Sequence, residues 1–270
     1  MAVSADVDIA NMALQRLGQP VISSLTDSGR DAEICNQLFA QNRNYCLMLS
    51  DWQCVTQRRV LARTGNYAIS DTSQANPVVV TCATHTIAAN ELVTIEDVVG
   101  MTELNDVTFR AYSVTSVTIT LYDTDGTTVN GSSYTAYSDS GTLYLAPGGD
   151  WARVYDVPSD CAKPINVLDS EFAVSTEHWI QEKGRIYTDV ENAGLEYLAL
   201  DTTASNYDEL LVEVMAARLA WMISMRIHSD KQLRAEMRAE MDRAVARARI
   251  VDASGRYRGD TAEDLWINAG

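Results

Sequence analysis

The acidic stretch at residues 123–126, Asp-Thr-Asp-Gly, carries residue types from which calcium sites are built. A calcium loop of the EF-hand type also needs a bidentate acid six residues after its glycine, and Ser132 stands at that position. Asp and Gly are also common in tight turns, because they tolerate the backbone conformations that such turns require. The stretch therefore predicts a hairpin turn, and we expect no metal site there.

The histidines and cysteines form no pattern typical of catalysis or metal binding. His85, His178 and His228 lie far apart, and the sequence has no nucleophile elbow, no phosphate-binding loop and no H-E-x-x-H motif. The cysteines are odd in number and form no C-x-x-C pair, which favours buried thiols over disulfides or zinc. They are Cys35, Cys46, Cys54, Cys82 and Cys161.

We predict no catalytic residues and no cofactor. With 37 acidic residues in the chain, a carboxylate pair of the glycosidase kind stays open as a hypothesis, because sequence alone does not place two carboxylates at a set distance. Enzymatic activity is therefore the third of three functional hypotheses.

Acidic residues concentrate in the middle of the chain, which has a net charge of −16. Residues 76–150 hold one basic and nine acidic residues, whereas residues 205–270 hold ten basic and eleven acidic ones. A protein that grips a nucleic-acid backbone shows a basic patch, and a surface past which DNA slides is acidic or mixed. Solubility alone would also explain this charge. No apolar run reaches the ~20 residues of a bilayer span, and the first residues lack a secretory signal.

Two helical patterns open the chain and two close it. Apolar residues recur at helical spacing over 5–17 and about 30–50, and again over 207–228 and 230–251. Gly18 is a plausible stop for the first helix. The predicted N-terminal caps are Ser4 for the first helix and Asp27 or Ser28 for the second.

Between these helices the composition changes to a stretch rich in Val, Thr, Ile and Tyr, from about Asn76 to Gly149. Alternation in LVTIEDV and SVTITLY, with turn signals such as Asn130-Gly131, predicts short strands and hence a small barrel or sandwich. Further strands are predicted at 152–157, 177–181, 185–188 and 195–200.

The order of the elements predicts an α+β fold, in which the N- and C-terminal helices form a helical bundle with an inserted all-β domain. Helices at both ends must bury their apolar stripes, and insertions are tolerated at exposed loop tips. The expected divisions are an N-terminal helical part at 1–75, the β-insert at 76–149, a mixed α+β segment at 150–204, the C-terminal helices at 205–251 and a tail at 252–270.

Two features point to contacts between proteins. The helix at 230–251 carries charges of both signs around an apolar stripe, which suits a solvated surface helix or a ring in which each subunit contacts two neighbours. The tail holds one apolar cluster, which packs onto its own domain or anchors a partner. The candidate interface residues are Arg234, Arg238, Met241, Arg256, Tyr257, Leu265, Trp266 and Ile267.

Residues 8–62 resemble the start of the tail tubular protein A family, the head-to-tail adaptor proteins of T7-like short-tailed bacteriophages. The resemblance rests on the helix ANMALQRLG, the loop ISSL, the helix start DAE and Trp52 after that helix. Residues 154–169, VYDVPSDCAKPINVLD, are similar to the V-P-x-D-C segment of that family. Residues 208–224, DELLVEVMAARLAWMIS, are similar to its returning long helix.

The β-insert resembles a small β-module of phage structural proteins that is named after a half-domain of ubiquitin-activating enzymes. The shared motif, G-M-x-x-L-N-x-x-x-F/Y, is formed here by Gly100, Met101, Leu104, Asn105 and Phe109. The name reflects similarity of fold, and no ubiquitin chemistry is implied.

The resemblance implies a structural virion protein of the neck and tail, assembled in the cytoplasm of the host bacterium. It would form a homo-oligomeric ring, twelvefold in the family, below the portal protein. The ring would receive the tail nozzle protein, tail tubular protein B, and line the channel through which DNA is ejected, without sequence-specific DNA binding and without a membrane. In relatives, the tail fibres of the virion also attach to this protein. A further hypothesis is that the C-terminal segment at 256–267 of this chain contributes to docking on the portal.

A second hypothesis assigns the β-insert a binding role, the recognition of a tail fibre or of a host surface glycan. It rests on the aromatic side chains predicted in its strands, although such residues also build cores. They are Tyr112, Tyr122, Tyr134, Tyr137 and Tyr144.

Overall fold

The fold is α+β. The computed structural model describes residues 5–256, with side chains for residues 5–251. This part of the chain forms two compact units: the first comprises the chain up to Arg58, Asp160–Ile165 and the chain from Glu196 onward, and the second comprises Arg59–Ser159 and Asn166–Leu195. Among the helices of residues 5–256, none combines the length and apolar character needed to cross a membrane.

The first unit contains four helices, which are α1 (Asp6–Arg16), α2 (Arg30–Leu47), α3 (Glu209–Ile227) and α4 (Lys231–Arg256). Gly18 follows α1 with a φ of 68°, a conformation that glycine adopts at little cost. Asp208 caps α3, because its carboxylate accepts a hydrogen bond from the Leu211 amide at 2.7 Å. At the C-terminal end of α2, the Trp52 indole donates to the Cys46 carbonyl at 2.9 Å and so satisfies one of the carbonyl groups that have no partner within the helix.

The four helices share one apolar core, with α3 at its centre. Helix α3 packs against each of the other three helices, and eleven of its 19 residues are buried, so it is apolar around most of its circumference. Ile9 of α1, Phe39 of α2 and Ala248 of α4 are buried in the same cluster. Most residues of the predicted apolar stripes therefore face this core, whereas Tyr45, which belongs to the predicted stripe of α2, is exposed.

Six strands of the second unit form a closed antiparallel barrel in the order β2-β3-β6-β5-β4-β7. Two three-stranded sheets, β10-β11-β8 and β1-β12-β9, account for the other strands. The division between the two units falls within each of the strands β1, β9 and β12. The strands are β1 (Thr56–Val60), β2 (Tyr67–Thr72), β3 (Val79–Cys82), β4 (Leu92–Glu96), β5 (Val107–Val114), β6 (Thr118–Tyr122), β7 (Thr142–Leu145), β8 (Arg153–Asp156), β9 (Cys161–Leu168), β10 (Trp179–Glu182), β11 (Arg185–Thr188) and β12 (Gly194–Ala199).

The motif that begins at Gly100 forms the sharp connection between β4 and β5. Gly100 has a φ of 97°, and a Cβ atom there would lie 2.2 Å from the Ala136 carbonyl oxygen, so only glycine fits. The Asn105 side chain accepts from the Val98 amide at 2.9 Å and donates to the Val98 carbonyl at 3.0 Å. Met101, Leu104 and Phe109 are buried in the barrel core. The motif therefore serves the fold of the barrel.

The predicted strands after residue 150 are confirmed as β8, β10, β11 and β12. The mixed α+β assignment of 150–204 is wrong, since the regular structure of this range is β apart from the short turn that begins at Ala204. Strand β9 escaped prediction because its burial does not alternate along the strand, so its sequence shows no period of two.

Three further expectations differ from the structure. Strands β1 and β2 lie within 1–75, and the barrel begins at Tyr67, before the expected boundary at residue 76. Helix α4 continues to Arg256, so the start of the expected tail is helical. Neither Asp27 nor Ser28 caps α2, whose cap position is Gly29 without a side-chain bond; the Asp27 carboxylate instead accepts from the amides of Ser23 and Ser24 and orders the preceding loop. Ser4 lies outside the described residues.

Candidate functional site

Four of the candidate interface residues lie on α4, and the structure describes the side chains of three of them, Arg234, Arg238 and Met241. Arg234 and Arg238 are exposed, and their guanidinium carbons lie 5.5 and 5.0 Å from the centre of the Trp221 ring on α3. Arg238 also pairs with Asp242 at 3.4 Å. Met241 packs, partly buried, against the core of its own helices. The two arginines and Trp221 therefore form one surface cluster, whereas Met241 belongs to the edge of the helical core.

The structure does not describe the side chains of the remaining candidates. The side chain of Arg256 lies outside the described side chains, and Tyr257, Leu265, Trp266 and Ile267 lie outside the described residues. Their assignment to an interface stays a prediction.

Arg218 on α3 is the functional candidate that sequence reasoning missed. Its side chain is only 8% exposed. One guanidinium nitrogen donates to the Asn42 side-chain oxygen at 3.0 Å and contacts the Met222 sulfur at 2.9 Å. The guanidinium carbon lies 3.9 Å from the centre of the Tyr45 ring. The Asn42 amide is held in turn, since it donates to the Met215 carbonyl at 2.9 Å.

We call Arg218, Asn42 and Tyr45 the Arg218 cluster. Among the described residues, no carboxylate forms an ion pair with Arg218. Tyr45 covers the guanidinium yet is itself 45% exposed, and Met48, one turn further along the chain, is 51% exposed. The sequence does show an arginine among the apolar residues of this helix, and that feature could have drawn attention to Arg218. Helical periodicity alone, however, does not reveal whether a carboxylate pairs with such an arginine.

The barrel tyrosines divide into structural and exposed ones. Tyr137 donates to the Ser140 carbonyl at 3.0 Å, and Arg63 stacks over Tyr144 at 3.8 Å while pairing with Glu96. Tyr134 packs against the barrel core. Tyr112 and Tyr122 differ from these, because their rings stack with centroids 4.3 Å apart beside an open cleft on the outer surface of the barrel.

The acidic turn at residues 123–126 is a hairpin turn, as predicted. The Gly126 amide donates to the Asp123 carbonyl at 2.9 Å, and the Asp123 amide donates to the Thr127 carbonyl at 2.8 Å. The hydrogen bond from the Thr127 amide lowers the pKa of Asp125 below its usual value. Within the described residues, no three His, Cys, Asp or Glu side chains are grouped as a metal site requires.

The cysteines are free thiols, and three of them are buried. Burial raises the pKa of Cys35 to about 11 and that of Cys46 to about 12, so neither forms a thiolate near neutral pH. His85 is also nearly buried, and neither ring nitrogen has a hydrogen-bond partner among the described residues. Its pKa is lowered by burial, which keeps the ring neutral.

Compared with models of protein families and with curated proteins, the sequence matches none of them.

Proposed function

We propose that this chain is the head-to-tail adaptor of a short-tailed bacteriophage virion. In this proposal twelve copies form a ring between the portal and the tail nozzle, and the ring lines the channel through which DNA is ejected. Its helices α1 to α4 form the bundle from which the ring is built. Support comes from the resemblance of residues 8–62, 154–169 and 208–224 to the tail tubular protein A family.

The observation that carries the oligomeric part of the proposal is the Arg218 cluster. Removing a guanidinium from water costs several kcal/mol unless a carboxylate and hydrogen bonds compensate it, yet the described partners of Arg218 are neutral. A carboxylate supplied by a neighbouring copy would complete this arrangement. With 37 acidic residues in the chain, each copy has carboxylates to offer.

The surroundings of Arg218 have the composition of an interface core. Tyr45 and Met48 leave apolar surface exposed beside it, and Trp221 lies on the next turn of α3 with Arg234 and Arg238 over its ring. Trp, Tyr, Met and Arg are the residues enriched where subunits meet. We infer that this face of the helices contacts the adjacent copy in the ring.

The proposal is tested by measuring the mass of the full chain in solution, alone and mixed with its portal protein, by light scattering and native mass spectrometry. We expect a closed homo-oligomer, or a monomer that assembles only on the portal. Monomer in both samples would refute the adaptor function.

The interface is tested separately with Arg218→Met, which removes the charge and keeps most of the side-chain volume. We expect a folded chain whose assembly is weakened by at least about tenfold, since truncating a buried charged contact costs about 2–5 kcal/mol of association. Arg243→Met is the matched control, because Arg243 is exposed on α4 and its side chain bonds, among the described residues, only to the Ala239 carbonyl. Equal assembly of both variants would show that the Arg218 cluster is not the interface.

A further inference from the structure

The cleft beside Tyr112 and Tyr122 has the features of a small-molecule site. It has a volume of about 270 Å³ and is lined by Asn90, Arg110, Tyr112, Tyr122 and Asp125, and we call it the Tyr112 cleft. Small-molecule sites are concave and combine apolar walls with a few polar groups, at about 300–1,000 Å³. The volume of the Tyr112 cleft is slightly below this range, which suits one or two small rings.

Neighbouring strands build the wall of the cleft. Arg110 of β5 lies directly opposite Tyr122 of β6 in the antiparallel register. Tyr112 follows Arg110 by two positions, so both side chains are on the same, outer face of the barrel. The hairpin turn after β6 brings Asp125 to one end, and Asn90 comes from the loop before β4.

The aromatic surface of the cleft is exposed and held in place. Tyr112 is 55% exposed, although burial of its aromatic ring would stabilise the fold through the hydrophobic effect. Its ring stacks on Tyr122 with an angle of 24° between the planes. This stacking restricts the rotation of the Tyr112 ring, so a ligand would lose less free energy in ordering it.

The polar groups of the cleft are also fixed. An Arg110 guanidinium nitrogen donates to the Thr124 carbonyl at 3.0 Å, which leaves other N–H groups of this side chain available. One Asp125 oxygen accepts from the Thr127 amide and hydroxyl, both at 2.9 Å. The Asn90 backbone has a φ of 72° and is anchored by the hydrogen bond of its amide to the Ala111 carbonyl.

We propose that the Tyr112 cleft binds an uncharged pyranose sugar, either free or as a unit of a polysaccharide. The C–H face of a pyranose ring carries partial positive charge and packs on the negative face of an aromatic ring. The neighbouring hydroxyl groups of the sugar both donate and accept hydrogen bonds. They can therefore pair with the Asp125 carboxylate, the Arg110 guanidinium and the side-chain amide of Asn90.

The charge of the surroundings decides between sugars and other ligands that stack. Arg110 is the only basic residue of 76–150, which also contains nine acidic residues. Asp125 lines the cleft and Asp123 lies in the same turn, so a nucleotide would bring its phosphate charge close to carboxylates and be repelled. An uncharged polyhydroxylated ring has no such cost. The inference does not depend on the adaptor function, since it concerns the barrel alone.

The test uses the full chain and two kinds of probe. Methyl glycosides of glucose, galactose, mannose and N-acetylglucosamine are titrated in saturation-transfer NMR, with adenosine as a planar, uncharged comparison. A glycan array that carries bacterial surface polysaccharides forms the second arm. We expect binding of at least one glycoside or polysaccharide; a response to polysaccharide alone identifies a surface glycan as the source, and a response to glycosides shows that a single ring suffices.

Variants locate the binding. Tyr112→Ala should weaken it by about tenfold, the factor that corresponds to the upper part of the range for an aromatic stacking contact, whereas Tyr112→Phe should keep it. Asp125→Asn retains an oxygen for the turn and should weaken binding severalfold. Phe172→Ala, at an exposed aromatic residue outside the Tyr112 cleft, is the matched control and should bind as the parent does.

Three outcomes would overturn the proposal. One is the absence of binding in both arms, and another is the same affinity for Tyr112→Ala as for the parent chain, with circular dichroism confirming that both are folded. The third is binding of adenosine in preference to every sugar. Because oligomer mass is measured independently, the failure of this proposal is distinguishable from the failure of the adaptor function.

Discussion

Replacing Gly100 with alanine should destabilise the barrel much more than the same change at Gly126. Both glycines have a positive φ, 97° and 92°, so each alanine is strained in a similar way. At Gly126 a Cβ would meet no atom within 4 Å. At Gly100 it would lie 2.2 Å from the Ala136 carbonyl oxygen and 2.7 Å from the Ser138 amide nitrogen, and these backbone atoms cannot rotate away.

The difference in magnitude follows from these contacts. A non-glycine residue in such a conformation costs about 1–3 kcal/mol, and this cost is common to both variants. At Gly100 the two chain segments must also separate, which adds about 1–3 kcal/mol for overpacking. Separation weakens the hydrogen bond from the Ser138 amide to the Val99 carbonyl, now 3.0 Å long, by about 1 kcal/mol. We therefore expect Gly100→Ala to lose about 2–4 kcal/mol more than Gly126→Ala.

The assay is urea denaturation of the full chain, with hydrogen exchange measured by mass spectrometry on peptides from 67–145. Exchange in these peptides separates the barrel from the helical unit, which a single unfolding curve for a chain of two units does not. Equal losses for Gly100→Ala and Gly126→Ala would refute the close approach of the two backbone segments at Gly100.

Three further predictions concern stability and reactivity. Asn105→Ala should lower the free energy of unfolding of the barrel by about 2–3 kcal/mol, because it leaves the buried amide and carbonyl of Val98 without their partner; urea denaturation measures this. Burial raises the pKa of Asp6 above its usual value, so the folded state binds a proton there more tightly than the unfolded state does. The contribution of Asp6 to the free energy of unfolding should therefore rise as the pH falls from neutral through that raised pKa, and thermal melting should show that Asp6→Asn lacks this part of the pH dependence. The buried thiols of Cys35 and Cys46 should resist a thiol reagent at pH 8 in the folded chain and react after unfolding.

Each of these predictions has a control. Asn130→Ala removes an exposed side chain whose bonds, within the described part of the chain, go only to Ser132, and it should leave stability nearly unchanged. The same pH profile for Asp6→Asn and the parent chain would contradict the assignment to Asp6. Rapid labelling of the folded chain, located at Cys46 by peptide mapping, would contradict its burial.

The helices could be read from the sequence because their signal is local. Apolar residues recur at helical spacing along α1 to α4, and the predicted ranges agree with the structure to within a few residues, apart from the end of α4. The strands β8, β10, β11 and β12 were also predicted from the sequence. The α+β class followed from these elements, and the hairpin turn at 123–126 followed from its Asp and Gly residues.

The candidate sites could be predicted only in part. Arg234 and Arg238 were expected at a surface, and the exposed position of both agrees with that. Tyr112 and Tyr122 were grouped with three other tyrosines, and nothing in the spacing of the five separates the stacked pair from those that support the barrel. That separation depends on neighbours such as Arg63 over Tyr144, which lie far away in the chain.

The sequence by itself determined the periodic elements, the acidic middle and the lack of known catalytic motifs, because each is a property of adjacent or nearly adjacent residues. Only the tertiary structure decided the strand order β2-β3-β6-β5-β4-β7, the fit of Gly100 against Ala136 and the burial of Arg218 with neutral partners. These features depend on pairings between distant segments, whose free energy is set by packing and desolvation around each group. The spacing of neighbouring residues in the sequence does not show which distant residues will surround each group.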